Sequence, residues 1–182
     1  MMIKSVLVML SLVMMFSGCA GLQVKHSSRN NPLNSSGKYL VFPFRDPSYK
    51  DKQFPGVGAR FTRSFTSQCS LNGLNVVDVS NGQFSSIKDI DLASALTYGE
   101  QQGADFIITG QLTRWIDRAT EWSGKRDFAG LEIAVIDVKT KNVVFTAEIL
   151  EHSNVFWSGT PDDFITSLSK AMADEFMQKG GH

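Results

Sequence analysis

The sequence is poor in the residues that staple or metallate a fold. It has two cysteines and three histidines in 182 residues. Two cysteines rule out a disulfide framework. His26, His152 and His182 stand far apart, with no ligand spacing between them, so no metal site is expected. Charge of either sign is not in excess: 18 basic residues face 18 acidic ones. That balance argues against nucleic acid as a partner and against attraction to anionic lipid. No apolar run approaches the ~20 residues that span a bilayer. No GxSxG-like elbow surrounds any serine, which leaves a hydrolase poorly supported.

What is present begins at the N-terminus. Lys4 precedes an apolar run from Ser5 to Phe16, and small residues follow up to Cys19. This is the pattern of a secretory signal peptide. Phe16-Ser17-Gly18-Cys19 resembles a bacterial lipobox, with Phe16 where leucine is commonest. The resemblance implies cleavage between Gly18 and Cys19, a covalent lipid (diacylglyceryl and palmitate-type chains) on Cys19, and, since Ala20 and not Asp follows, the outer membrane. Several acyl chains at ~0.8 kcal/mol per buried CH₂ hold a domain on a membrane nearly permanently. Loss of residues 1–18 removes Lys4 and leaves one net negative charge. Cys19 is then taken by lipid, and Cys69 has no partner within the chain. Cys69 shares a helical stripe with Phe61 and Phe65, as a buried thiol would; a reactive thiol is the alternative.

Three regions are expected: a signal peptide over 1–18, a lipidated tether over 19–38 and one mixed α/β domain over 39–178. The tether, AGLQVKHSSRNNPLNSSGK from Ala20, has no apolar period. Fully extended it reaches at most ~60 Å. In the domain, Tyr39–Phe44 reads as a strand and Gly56–Ser70 as a helix. Leu74–Val79 is a second strand. A second helix is capped by Asp89 or Asp91, with Leu92, Ala95, Leu96 and Gly99 inward and Gly103 at its end. Ala104–Leu112 is a third strand, its apolar centre implying cover on both sides. Two long strands, to Trp122 and from Phe128, turn at Ser123-Gly124, and Val143–Leu150 returns after Asn142, which suits a left-handed turn position. Thr160, Pro161, Asp162 and Asp163 start a last helix with Phe164, Leu168, Met172 and Phe176 buried. The order is β-α-β-α-β-β-β-α, about five strands and three helices. Helix-joined strands should lie parallel and hairpin strands antiparallel.

That order, with VFPF, GADFIITGQL and IDVKTKNVVF in place, resembles the α/β domain at the N-terminus of TolB and in the curli-secretion lipoprotein CsgG. LTRWIDRATEWSGKRD followed by LEIAVIDVKTKNVV is similar to an uncharacterised family of Gram-negative lipoproteins, domain-of-unknown-function family 4823, over most of 39–178. Its most specific stretch is Asp117–Gly124. This second resemblance implies a compartment and a fold and supplies no mechanism. The first suggests a role in envelope assembly by analogy of fold alone.

Two motifs invite chemistry. Gly56-Val-Gly58-Ala-Arg-Phe61 opens a helix as a dinucleotide fingerprint does. The long loop before it and Phe61 in place of the third glycine argue against that reading, leaving an ordinary helix entry or a weak anion site. In WIDRATEWSGKRD, Asp117 and Glu121 share a strand face, but four residues of strand set their α-carbons ~13 Å apart. Paired glycosidase carboxylates need roughly 5 to 9.5 Å. A Ser123-Gly124 turn would set Trp122 against Lys125, Glu121 against Arg126 and Thr120 against Asp127. The segment is expected to be a structural hairpin; a binding edge of Arg118, Glu121, Trp122 and Lys125 is the functional alternative. No catalytic residue, metal or cofactor is expected. The expected protein is a non-enzymatic outer-membrane lipoprotein. Its periplasmic domain docks an envelope protein or joins an assembly. A peptidoglycan or glycan binder is the alternative, and exposure on the cell surface stays open.

Overall fold

A computed structural model describes residues 21–30, 34–80, 84, 91–116, 126–153 and 161–178. The signal peptide, the lipobox, Thr160 and the hairpin tip with Arg118, Glu121, Trp122 and Lys125 lie outside these residues. The described chain forms a six-stranded mixed sheet of order β1-β8-β7-β6-β2-β5 and a separate two-stranded ribbon. The strands are β1 (Gly21–Arg29), β2 (Lys38–Val41), β3 (Ser48–Tyr49), β4 (Lys52–Gln53), β5 (Asn75–Asp78), β6 (Phe106–Ile116), β7 (Phe128–Asp137) and β8 (Val143–His152); the helices are α1 (Val57–Leu71), α2 (Leu92–Gln101) and α3 (Phe164–Gln178). Strands β5 and β6 flank β2 and run parallel to it, while β7 and β8 follow as antiparallel hairpins. The mixed α/β class is the one the element order implies. The sheet has more strands than expected because β1 joins it.

Strand β1 is the main correction. The stretch read as a tether pairs antiparallel with β8 from Gly21–His152 to Arg29–Phe145. Polarity hid it: its side chains are His26, Ser27 and Ser28 among others, as an edge strand tolerates. Its far end is fastened by Arg29. The guanidinium lies 4.6 Å over the Phe145 ring and 5.4 Å from that of Phe176, and donates to the Phe176 carbonyl. Burial pulls the Arg29 pKa down from its usual value.

Helix α1 carries Phe61, Phe65 and Cys69, all fully buried, against the sheet. Cys69 is buried, as its place on the helical stripe implies, and burial pushes its thiol up to about 12. The glycine-rich entry has no open anion site. Asp46, from the preceding loop, already fills it, its carboxylate accepting from the Gly56 and Gly58 amides at 2.9 and 2.7 Å. Gly58 is required by close approach: a Cβ there would stand 1.9 Å from the Phe44 carbonyl oxygen. Helix α2 is capped by Asp91, which accepts from the Ser94 amide at 2.8 Å; the hydrogen bonds to Ser94 hold its pKa low. Leu92, expected inward, is 49% exposed, because the first turn overhangs the sheet. In the β7–β8 turn the left-handed residue is Lys141, φ 59°, and not Asn142.

Helices α1 and α3 cover one face of the sheet. There β7 and β8 bury Ala129, Leu131, Ile133, Val135, Phe145, Ala147 and Ile149 beneath Leu168, Met172 and Phe176. Helix α2 covers part of the other face, on Leu40, Phe42 and Ile107 and on Ile136 and Val138 at the end of β7. The register of β6 and β7 departs from expectation. A two-residue turn at Ser123-Gly124 would set Ala119 against Phe128, but Ile116 stands there. Further along β6 from that pair, a bulge at Thr113 shifts the pairing by one more residue.

Candidate functional site

On the other face of the sheet the apolar cluster under α2 reaches β7 at Ile136 and includes no residue of β8 or β1, which leaves an open face there. Its centre is a polar row across four strands. Gln111 of β6 lies opposite Glu132 of β7, Glu132 opposite Glu148 of β8, and Glu148 opposite His26 of β1. Two carboxylates directly opposite on neighbouring strands repel one another. Each accepts from its own neutral donor. The Gln111 amide donates to Glu132 at 2.7 Å, and the Thr113 hydroxyl to Glu148 at 2.9 Å. Gly130 of β7 leaves the room for Thr113 to reach across, since a Cβ there would stand 2.5 Å from the Thr113 hydroxyl oxygen. His26 Nδ1 stands 3.9 Å from Glu148, in a strand and not in a tether.

Beside this row is a cavity of about 330 Å³. Its floor and one wall are apolar, from Phe42, Leu92, Ile136 and Val143, while Thr109, Gln111, Glu132 and Arg45 supply the polar side. Leu92 and Val143 are two of the six exposed large hydrophobics among the described residues. Both line the cavity. A cavity of this size, apolar with a few convergent polar groups, suits part of a ligand or one or two side chains of a partner. The row accepts hydrogen bonds, so it suits N–H donors or a cation.

The end of the sheet beside the hairpin tip is packed. His152 is opposite Gly21 and Phe128. Its ring is 5.9 Å from that of Phe128 and its Nε2 3.5 Å from Arg126 Nη1. Asp127, expected to face Thr120, is buried and bridged to Ser153, whose hydroxyl accepts from the Asp127 amide at 3.0 Å. Sequence reasoning missed Gln111, Glu132 and Glu148. A signal was present: Glu132 in LEIAVI and Glu148 in TAEIL are lone charges at the centre of apolar strands, where period-two alternation turns them to one face.

Among the described residues no group of three His, Cys, Asp or Glu side chains is placed to hold a metal ion, and no helix is long and apolar enough to cross a membrane.

No curated protein matches the chain. Solved structures share its fold. The PelC dodecamer from Paraburkholderia phytofirmans is similar at TM-score 0.62 and 18% identity, over 86% of this chain and 96% of that one. Lipoprotein GNA1162 from Neisseria meningitidis is similar at TM-score 0.54 and 11% identity, over 78% and 99%. Protein XCC0632 from Xanthomonas campestris follows at TM-score 0.51 and 10% identity, over 82% and 91%. Residues 83–175, just over half the chain, carry α2, strands β6 to β8 and most of α3; they match the family described as Domain of unknown function (DUF4823), and the chain belongs to that family.

Proposed function

We propose that the protein is a non-enzymatic lipoprotein of the outer membrane, anchored through Cys19, whose periplasmic domain docks a protein partner in an envelope assembly. The observation that carries the docking role is the open sheet face. It joins an apolar cavity, with Leu92 and Val143 exposed at its rim, to a row of hydrogen-bond acceptors. Exposed apolar residues gathered at a cavity and edged by polar groups mark an interaction site. A partner segment that fits presents an apolar side chain to the cavity and a cation or N–H donors to Glu132 and Glu148. The lipobox supports the anchor, and the fold shared with lipoprotein GNA1162 is in keeping with it. PelC assembles as a dodecamer, so further copies of this chain are one form the partner can take.

Photocrosslinking from Val143 tests the reading. The full-length protein carries a photoreactive residue at 143 in its own envelope, and exposed Leu71, far from the cavity, serves as control. A discrete adduct from 143 and none from 71 is expected. The adduct's mass separates a second copy from another protein. Equal diffuse labelling from both positions would sink the docking role. Retention of the purified domain on peptidoglycan, with no protein adduct, would favour the glycan-binding alternative.

A further inference from the structure

Strand β1 brings the lipid anchor and the sheet together. Only Ala20 separates Cys19 from Gly21, the first residue of β1. Two residues of chain span at most about 7 Å. The expected tether would have allowed ~60 Å. Gly21 is not loosely held, since it lies opposite His152 with the imidazole packed where a Cβ would project, 2.3 Å from Nε2. One row across the sheet, Gly21, His152, Phe128 and Ile116, therefore begins beside the acylated residue and runs about 14 Å across three strand spacings. The opposite end of the sheet is eleven strand residues away along β6, about 35 Å.

The strand next to the anchor also carries the wrong side chains for water. Leu22 and Val24 alternate on one side of β1 and are 46% and 45% exposed. An exposed edge strand is usually blunted with charge or proline. Here two apolar residues follow the anchor directly, with exposed Lys25 after them. We propose that β1 is a membrane-docking edge: Leu22 and Val24 rest in the headgroup region of the bilayer that holds the acyl chains of Cys19, so the domain lies against the membrane at its Gly21 end. This rests on the lipidation of Cys19 proposed above. Leu71, which is 78% exposed, marks the far end. It closes α1 just before β5 starts, and β5 starts at the same end of the sheet as β6. The far end is then the part of the domain that faces the periplasmic space.

The test uses full-length lipidated protein in vesicles of phosphatidylethanolamine and phosphatidylglycerol with a nitroxide quencher on a lipid headgroup. Val24→Cys, Leu22→Cys and Leu71→Cys variants carry an environment-sensitive fluorophore. All three sites are exposed, and Cys69 is buried and escapes labelling. Circular dichroism checks that each variant folds. Loss of fluorescence at 24 and 22, with none at 71, is expected. Acylated, vesicle-bound protein with no quenching at 22 or 24 overturns the docking edge and leaves the anchor standing. A Cys19 shown by mass spectrometry to be unacylated, with the protein free of vesicles, overturns the anchor and the docking edge with it.

Discussion

Ile133 and Glu132 are neighbours on β7 and face opposite ways. Ile133 is 1% exposed beneath α1 and α3. Glu132 faces the open side, opposite a second glutamate. The same alternation along β7 and β8 makes one face a close-packed core and the other a polar surface with a cavity at its border. The difference separates two jobs. The helical face holds the domain together. The open face carries fewer buried apolar residues, Leu150 and Ile136 among them, and accepts a like-charge pair at its centre, which leaves that centre free to serve recognition.

The contrast can be broken most strongly on the helical side. Ile133→Ala leaves a cavity in a packed layer and should cost about 2 to 5 kcal/mol, read as a drop in urea midpoint. If it costs no more than a surface substitution, the two faces are not as different as their packing implies. Glu151 sharpens the comparison, because it is a carboxylate on the helical side. It is 9% exposed, and the Ser167 hydroxyl donates to it at 2.6 Å. Desolvation raises its pKa above the ordinary glutamate range, partly opposed by that hydrogen bond. A raised acid pKa means that the folded state binds the proton more tightly than the unfolded state. The contribution to stability is therefore full at acid pH and is lost as pH rises from the ordinary glutamate pKa through the raised one. Glu151→Gln should then raise the melting temperature at pH 7, and the gain should vanish in melts near pH 4. A gain that persists there would assign the effect to packing instead of ionisation. The smallest effect is expected on the open face. Glu132→Gln keeps the contact with Gln111 and removes the repulsion with Glu148, so stability should stay within about 0.5 kcal/mol of wild type. A large loss would mean that the row supports the fold.

Much of the fold was legible where a segment buries its own periodic face. Phe61, Phe65 and Cys69 on α1, and Phe164, Leu168, Met172 and Phe176 on α3, announce their helices and are buried as expected. Strands β6, β7 and β8 follow from apolar runs and turn residues. The candidate site was much less legible. WIDRATEWSGKRD drew attention through its tryptophans and charges, and a local turn at Ser123-Gly124 seemed to set its register. The register of the described strands is fixed elsewhere, by the bulge at Thr113 and by Ile116 opposite Phe128. Glu132, Glu148 and His26 are far apart in the chain and become one row only by cross-strand pairing.

The sequence by itself determined what depends on near neighbours: the helices, the strand order along the chain, the mixed α/β class and the signal and lipobox pattern before Cys19. The tertiary structure alone decided what depends on distant partners. A polar stretch without apolar period becomes β1 because β8 offers it an unpaired backbone edge and because Phe145 and Phe176 receive Arg29. Backbone hydrogen bonding to a strand more than a hundred residues away leaves no periodic mark in the segment that accepts it, and so an expected tether became the edge of the sheet.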